Sequence, residues 1–352
     1  MSFLRCLPLA YSSWFRVPQQ GMRQFELLSR GTACFVHRAS GSAVSAERYR
    51  WVLVSGHVAA PQRFPEYYRQ AWLRHVREAE CRHVLEFRDE RSRVACAWPL
   101  HRRGGERWRM TDIADILEQL EEDGGGGGIV ERQNGSGSAD GPHPSRHLSL
   151  VRHAEHADVA ALRVQHPAEM LKSLSQLPPS YALCDADAAT DDMPALSDAL
   201  TVDGWAFAEH TDESPRVGSN ADVARYVQRT GRIVQLPSLV NNSVQPEAQG
   251  LDAERRRRQM YTRSRGFVLL DAAPEWGLCG AAVVRTAAGA SELVGLLEGR
   301  IQPSSTPTDS FDAQRLGAYV DVRAVAHLVE APRETEAATP ATADAVRLSA
   351  AP

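Results

Sequence analysis

Apolar and polar positions along this chain group mostly into short runs of strand length. Residues 31–38 and 49–58 are apolar and rich in β-branched or aromatic side chains, with a polar Gly/Ser-containing turn between them. They read as strands. Over 64–80 the period changes: Tyr68, Trp72 and Val76 recur every four residues, which predicts a helix. Residues 81–87 and 92–100 then read as a hairpin around the charged turn at 88–91. Residues 103–146 differ in kind. A short helical pattern at 110–123 runs into five consecutive glycines and then a Gly/Ser/Asn/Pro stretch. Such a composition cannot bury a core and predicts a flexible surface insertion. Order is expected to resume at 147–153 and 157–164. A Pro/Asp/Ala-rich connector follows near 178–198, and then short strands at 201–210, 231–237, 266–272, 280–286 and 292–299. The basic run at 254–259 reads as a solvated face, and the Ala/Thr/Pro/Glu-rich tail from 331 as disordered. Two groups of short strands flanking a long insertion predict an all-β chain of barrels or sandwiches.

Composition narrows the partners. The chain has 352 residues, 43% hydrophobic and 24% charged, with 40 basic against 44 acidic side chains. That net charge of −4 makes the whole chain no electrostatic partner for DNA or RNA. No apolar run is long enough for a membrane-spanning helix, and neither sustained heptads nor repeats occur. Lys172 is the single lysine, a bias read as coding composition. Cys6, Cys34, Cys81, Cys96, Cys184 and Cys279 are scattered without a CxxC pair, so neither a disulfide framework nor a zinc knuckle is expected. Residues 1–25 carry Arg5, Arg16 and Arg23, three serines, large apolar side chains and no acid. They read as a mitochondrial transit segment on a soluble protein.

Three blocks carry chemistry. Val52 to Val58 is an apolar strand ending at His57. Ala157 to Val164 opens a strand with Asp158. Gly277 to Val284 places Cys279 between glycines ahead of another strand, with Glu292 to Gly299 following. A thiol needs a base to act as a nucleophile at neutral pH. His57 is the candidate base, and Asp158 the candidate group fixing its tautomer. Glycines around Cys279 allow a sharp turn, from which the N–H groups of Gly277 and Cys279 can face a developing oxyanion.

These blocks resemble the trypsin/chymotrypsin-like double β-barrel peptidases, most nearly the HtrA/Deg type. That group carries a Thr-Asn-x-His-Val strand end, an Asp-(Leu/Val)-Ala strand start and Asp-Ala-Ala-x4-Gly-x-Ser-Gly-Gly-Pro. Residues Asp271 to Gly280 fit the last without a gap, with Cys279 at the nucleophile. The likeness runs from about 31 to 305. It implies a trypsin-like double β-barrel, with a first barrel at 26–165, a connector at 166–197 and a second barrel at 198–330. The implied activity is a Cys–His–Asp endopeptidase on polypeptides, working through an acyl-thioenzyme without cofactor or metal. The substrate cleft would be lined by Ala273, Leu296, Leu297, Glu298 and Gly299. The chain departs from the pattern in Cys279 itself, in Ala281-Ala282 where the family has Gly-Pro, and in Glu298 near the triad acid. With Ala273 six residues before the nucleophile, no preference for basic side chains is implied. No PDZ-like module follows.

Three other readings stand beside this one. A catalytically inactive barrel pair could be a subunit of a mitochondrial ribonucleoprotein or respiratory complex. The Gly-rich insertion, the Arg richness and the altered Gly-Pro lean that way. Residues 150–155 resemble the Leu-Val-Arg-His-(Gly/Ala)-Glu signature of histidine phosphatases, with His153 phosphorylated and His327 as the second histidine. That reading requires an α/β sandwich. His153, His156 and Asp158 could form a metal cluster, although their spacing puts the histidines on no common helix or strand face.

Overall fold

The computed structural model describes residues 7–38, 46–64, 67–68, 70–100, 117–118, 151–154, 157–183, 198–207, 224–234, 265–287, 290–300 and 314–329. Most of the insertion at 103–146, the basic run at 254–259, the tail from 331 and His156 lie outside the described residues.

The chain is mostly β, built as an eight-stranded sheet and a closed six-stranded barrel. The sheet contains β1 (Leu9–Phe15), β2 (Glu26–Arg38), β3 (Trp51–Ser55), β4 (Cys81–Arg88), β5 (Val94–Pro99), β6 (Val151–His153), β7 (Val159–Arg163) and β8 (Ser180–Leu183). Its order is β5-β4-β1-β2-β3-β7-β6, antiparallel throughout, with β8 parallel beside the end of β2. The barrel contains β9 (Ala199–Phe207), β10 (Ala224–Val234), β11 (Arg265–Leu270), β12 (Ala282–Ala287), β13 (Ala290–Arg300) and β14 (Leu316–Asp321). It closes in the order β10-β11-β14-β13-β12-β9. Closure removes the exposed edges that an open sheet would leave. Short helices include α1 (Gly56–Ala59) and α2 (Pro167–Lys172).

Four sequence expectations need correcting. Residues 9–15 are no part of a removable address. They form β1, buried along its whole length and hydrogen-bonded to β2 on one side and β4 on the other. Arg16 stacks over Phe25 at 4.8 Å, so one of the arginines that suggested targeting packs within the fold. The transit reading of 1–25 therefore loses its basis. The helix predicted for 64–80 is replaced by single 3-10 turns at Ala71–His75 and Glu78–Glu80. Its periodic residues serve different partners: Tyr68 bonds the His57 carbonyl, Trp72 stacks on Phe15, and Val76 packs with Phe15, Val17 and Cys81. Part of the stretch taken as a connector is β8, which pairs with β2 in the first sheet, and α2, whose Met170 packs into that sheet's core. Finally, the described residues contain no α/β sandwich, so the histidine-phosphatase reading of His153 and His327 falls. His153 sits on β6 and His327 is exposed in the 3-10 segment Val322–Leu328.

The sheet and barrel share a core. Cys34, Leu53 and Ala161 of the sheet pack in one cluster with Ala282, Leu293, Leu296 and Val320 of the barrel and with Val325. A buried ionic group stands near a second contact. Glu86 accepts from Arg30 at 2.5 Å and Arg88 at 2.8 Å, and both guanidinium groups lie over the ring of Phe207 on β9. Burial alone would raise the Glu86 carboxyl, but the two arginines outweigh it and hold it down at about 2.

Thr32 joins the two halves through three hydrogen bonds. Its hydroxyl donates to the Gly277 carbonyl at 2.8 Å and accepts from the Trp205 N–H at 3.0 Å. Its own N–H donates to the Cys279 carbonyl at 3.0 Å. One fully buried residue of β2 thus holds both the turn bearing Cys279 and the strand beside it.

Candidate active site

Strand register brings His57 to Asp158. β3 and β7 pair antiparallel with Ser55 opposite Val159, so the residues just beyond each, Gly56-His57 and Asp158, meet at the sheet end. Gly56 is required by space: a Cβ there would lie 2.9 Å from Asp158 Oδ1 and 2.9 Å from the Phe64 ring. The Gly56 N–H donates to the Asp158 carbonyl at 3.0 Å. The carboxylate accepts twice from His57, from the backbone N–H at 2.6 Å and from Nδ1 at 2.5 Å. The Ser55 hydroxyl reaches the same carboxylate at 3.3 Å. Both members of the pair are buried. Nδ1 thus faces Asp158, with the Ser55 hydroxyl also 3.0 Å from it, which leaves Nε2 for a further partner.

Cys279 sits at the centre of a sharp turn between β11 and β12. Gly277 and Gly280 have φ of +95° and +88°, a region costly for residues with a Cβ. A methyl at Gly280 would lie 2.1 Å from the Thr32 carbonyl oxygen, and one at Gly277 2.3 Å from the Phe207 ring. The turn is tied down by Gly280 N–H to the Leu297 carbonyl at 2.7 Å and by Ala281 N–H to the Leu278 carbonyl at 2.9 Å. Among the described residues, no carbonyl takes the N–H of Gly277 or of Cys279.

The His57 imidazole lies close enough to the Cys279 sulfur to be influenced by it, as well as being hydrogen-bonded to Asp158. Burial alone would lower its basicity. The Asp158 carboxylate, through its charge and its hydrogen bond, and the nearby Cys279 sulfur prevail and raise it well above the ordinary histidine value. Cys279 is partly exposed, whereas Cys34, Cys81 and Cys96 are buried. Burial pushes the Cys34 and Cys81 thiols up to about 12, which leaves them chemically quiet.

The cleft residues divide. Gly299 borders the thiol, and a methyl added there would lie 3.7 Å from Cys279 Sγ. Ala273 is half-buried on the segment leading to the turn. Leu296 and Leu297 need correcting: their side chains belong to the two barrel-side cores, and Leu297 serves the site through its backbone, bonded to Gly280 and Ala281. Glu298 is buried and accepts a hydrogen bond from the Tyr67 hydroxyl.

Several residues of the site carried no motif. Thr32 and Ser55 read only as strand residues. Three aromatic side chains surround the imidazole: Tyr67 stacked at 4.4 Å, Phe64 edge-on at 6.4 Å and Tyr68 tilted at 6.4 Å. The density of aromatics at 64–68, just after the histidine, was the available signal. As for the metal reading, Asp158 is turned to His57, and no group of His, Cys, Asp and Glu among the described residues could hold a metal ion. No helix among them is long and apolar enough to cross a membrane. No family model matches the sequence, and no curated protein is significantly similar to it.

Proposed function

We propose that this chain is an endopeptidase on a trypsin/chymotrypsin-like scaffold, acting through a Cys279–His57–Asp158 triad. The observation that carries the reading is the junction of three groups far apart in sequence, with His57 hydrogen-bonded to Asp158 and the Cys279 sulfur close by. A strongly basic imidazole next to a thiol favours the thiolate–imidazolium pair, the reactive form of cysteine. The thiolate attacks the scissile carbonyl, and the negative charge passes to the carbonyl oxygen. The N–H groups of Gly277 and Cys279, which no carbonyl takes among the described residues, are the donors available to that oxyanion. His57 gives its proton to the leaving amine as the tetrahedral species collapses to a thioester. A water molecule, deprotonated by His57, then attacks the thioester and releases the acid and the thiolate. Asp158 fixes the tautomer and stabilises the imidazolium without being protonated. With Ala273 on the segment before the turn, that position offers no carboxylate to a basic substrate side chain.

Digestion of a denatured proteome-derived peptide mixture, with the new termini identified by mass spectrometry, tests this. The wild-type chain generates new termini that the Cys279→Ala protein does not. Identical termini from both proteins would refute it and favour the inactive, assembly-subunit reading.

A further inference from the structure

Tyr67 lies face to face on the imidazole of His57, with ring centroids 4.4 Å apart and planes 7° from parallel. Its N–H is anchored to the Phe64 carbonyl at 3.1 Å, and the Phe64 ring stands edge-on to both. Its hydroxyl donates to the buried carboxylate of Glu298 on β13. The neighbours of Glu298 in β13 serve the nucleophile: Leu297 holds the turn through Gly280, and Gly299 borders the sulfur. One stretch of β13 thus touches both Cys279 and, through Tyr67, His57.

Burial does not explain this arrangement, because Tyr67 is 39% exposed. An aromatic face is the negative pole of the ring quadrupole and attracts a cation placed over it. A phenol that donates its proton to a carboxylate has a more electron-rich ring. We propose that Tyr67, tethered by Glu298, is a positioning residue that fixes the plane of His57 and stabilises its protonated form. This deepens the peptidase reading and rests on it for its purpose, since the imidazolium is the partner of the thiolate. The charged and titratable groups facing His57 are Asp158 at the start of β7, Cys279 on the turn, Tyr67 and Tyr68 after α1, and Glu298 behind Tyr67. His153 on β6 and Arg63 act on the Asp158 side.

The test is an NMR titration of the His57 ring in full-length, isotope-labelled protein carrying Cys279→Ala, with the signal assigned by His57→Gln. Adding Tyr67→Ala lowers the midpoint by about half to one pH unit, the size of a cation–π contact at a partly exposed site. Tyr67→Phe keeps the stack, removes the tether and lowers it by less. Glu298→Gln matches Tyr67→Phe and covers the case in which the alanine variant does not fold. A midpoint unmoved by both Tyr67→Ala and Glu298→Gln, or raised by either, overturns the proposal. Because the thiol is absent from every protein measured, the titration judges Tyr67 separately from any failure of peptide cleavage.

Discussion

Replacing Thr32 by valine removes one hydroxyl and keeps the shape. Two buried groups then lose their partner: the Gly277 carbonyl, now 2.8 Å from Oγ1, and the Trp205 N–H, now 3.0 Å away. The backbone bond from Thr32 N–H to the Cys279 carbonyl survives, since it does not use the side chain. A buried polar group left unpaired costs about 1–3 kcal/mol. The variant is therefore less stable by about 3 kcal/mol, or about 6–12 °C of melting temperature for a fold of this size. Thr32→Ser keeps both bonds and loses a methyl group, a change of about 1 kcal/mol. The consequence reaches chemistry, because the freed carbonyl belongs to the turn that aims Cys279. Under the proposed peptidase activity, a small misplacement there costs about 10–100-fold in turnover. The assays are thermal melting followed by circular dichroism, and Cys279 alkylation on the folded proteins. Coincident melts for the valine and serine variants would refute the claim that this hydroxyl joins the sheet to the nucleophile turn.

Three further outcomes follow from the same coordinates. A chain lacking residues 1–25 loses β1 from the middle of the first sheet and does not fold, as read by the loss of a cooperative melt. Gly280→Ala combines a φ of +88° with a methyl 2.1 Å from the Thr32 carbonyl oxygen. It destabilises by about 3–5 kcal/mol, measured by urea unfolding. Acid destabilises the protein through His153, whose ring nitrogens have no hydrogen-bond partner among the described residues. Burial and the nearby Arg63 bring His153 down to about 4, against the Asp158 charge. The unfolded chain, with an ordinary histidine near 6.5, binds the proton first, so stability falls as pH drops from about 6.5 to about 4, by about 3 kcal/mol. Urea unfolding across that window shows a shallower fall for His153→Leu; an unchanged slope would discount His153.

The parts of this fold that could be read from the sequence are those whose signal is local. The hairpin of β4 and β5 declares itself by apolar strands around a charged turn, where Asp89 accepts from the N–H groups of Arg91 and Arg93. His57, Asp158 and Cys279 each stood beside a recognisable strand. β1 was missed because both its faces are buried. Ser12 and Ser13 lie inside with the apolar residues, and the usual alternation is lost. The period at 64–80 misled because its residues do not share one helical face: Tyr68 bonds the His57 carbonyl, while Trp72 and Val76 pack on Phe15. Leu296 and Leu297 were placed in the cleft from position alone, whereas their side chains fill cores. Tyr67 and Thr32 act through contacts across the two halves of the molecule, with Glu298 and with Gly277, and no local pattern encodes such pairing.

The central claim is an activated thiol at Cys279, and the pH dependence of its alkylation tests that most directly. Iodoacetamide is applied to the full-length chain, with modification followed at Cys279 by mass spectrometry. The buried Cys34 and Cys81, held at about 12, contribute little at neutral pH. Rapid alkylation of Cys279 at neutral pH, lost in His57→Ala, is the expected result. Slow alkylation, unchanged by His57→Ala, would contradict the claim.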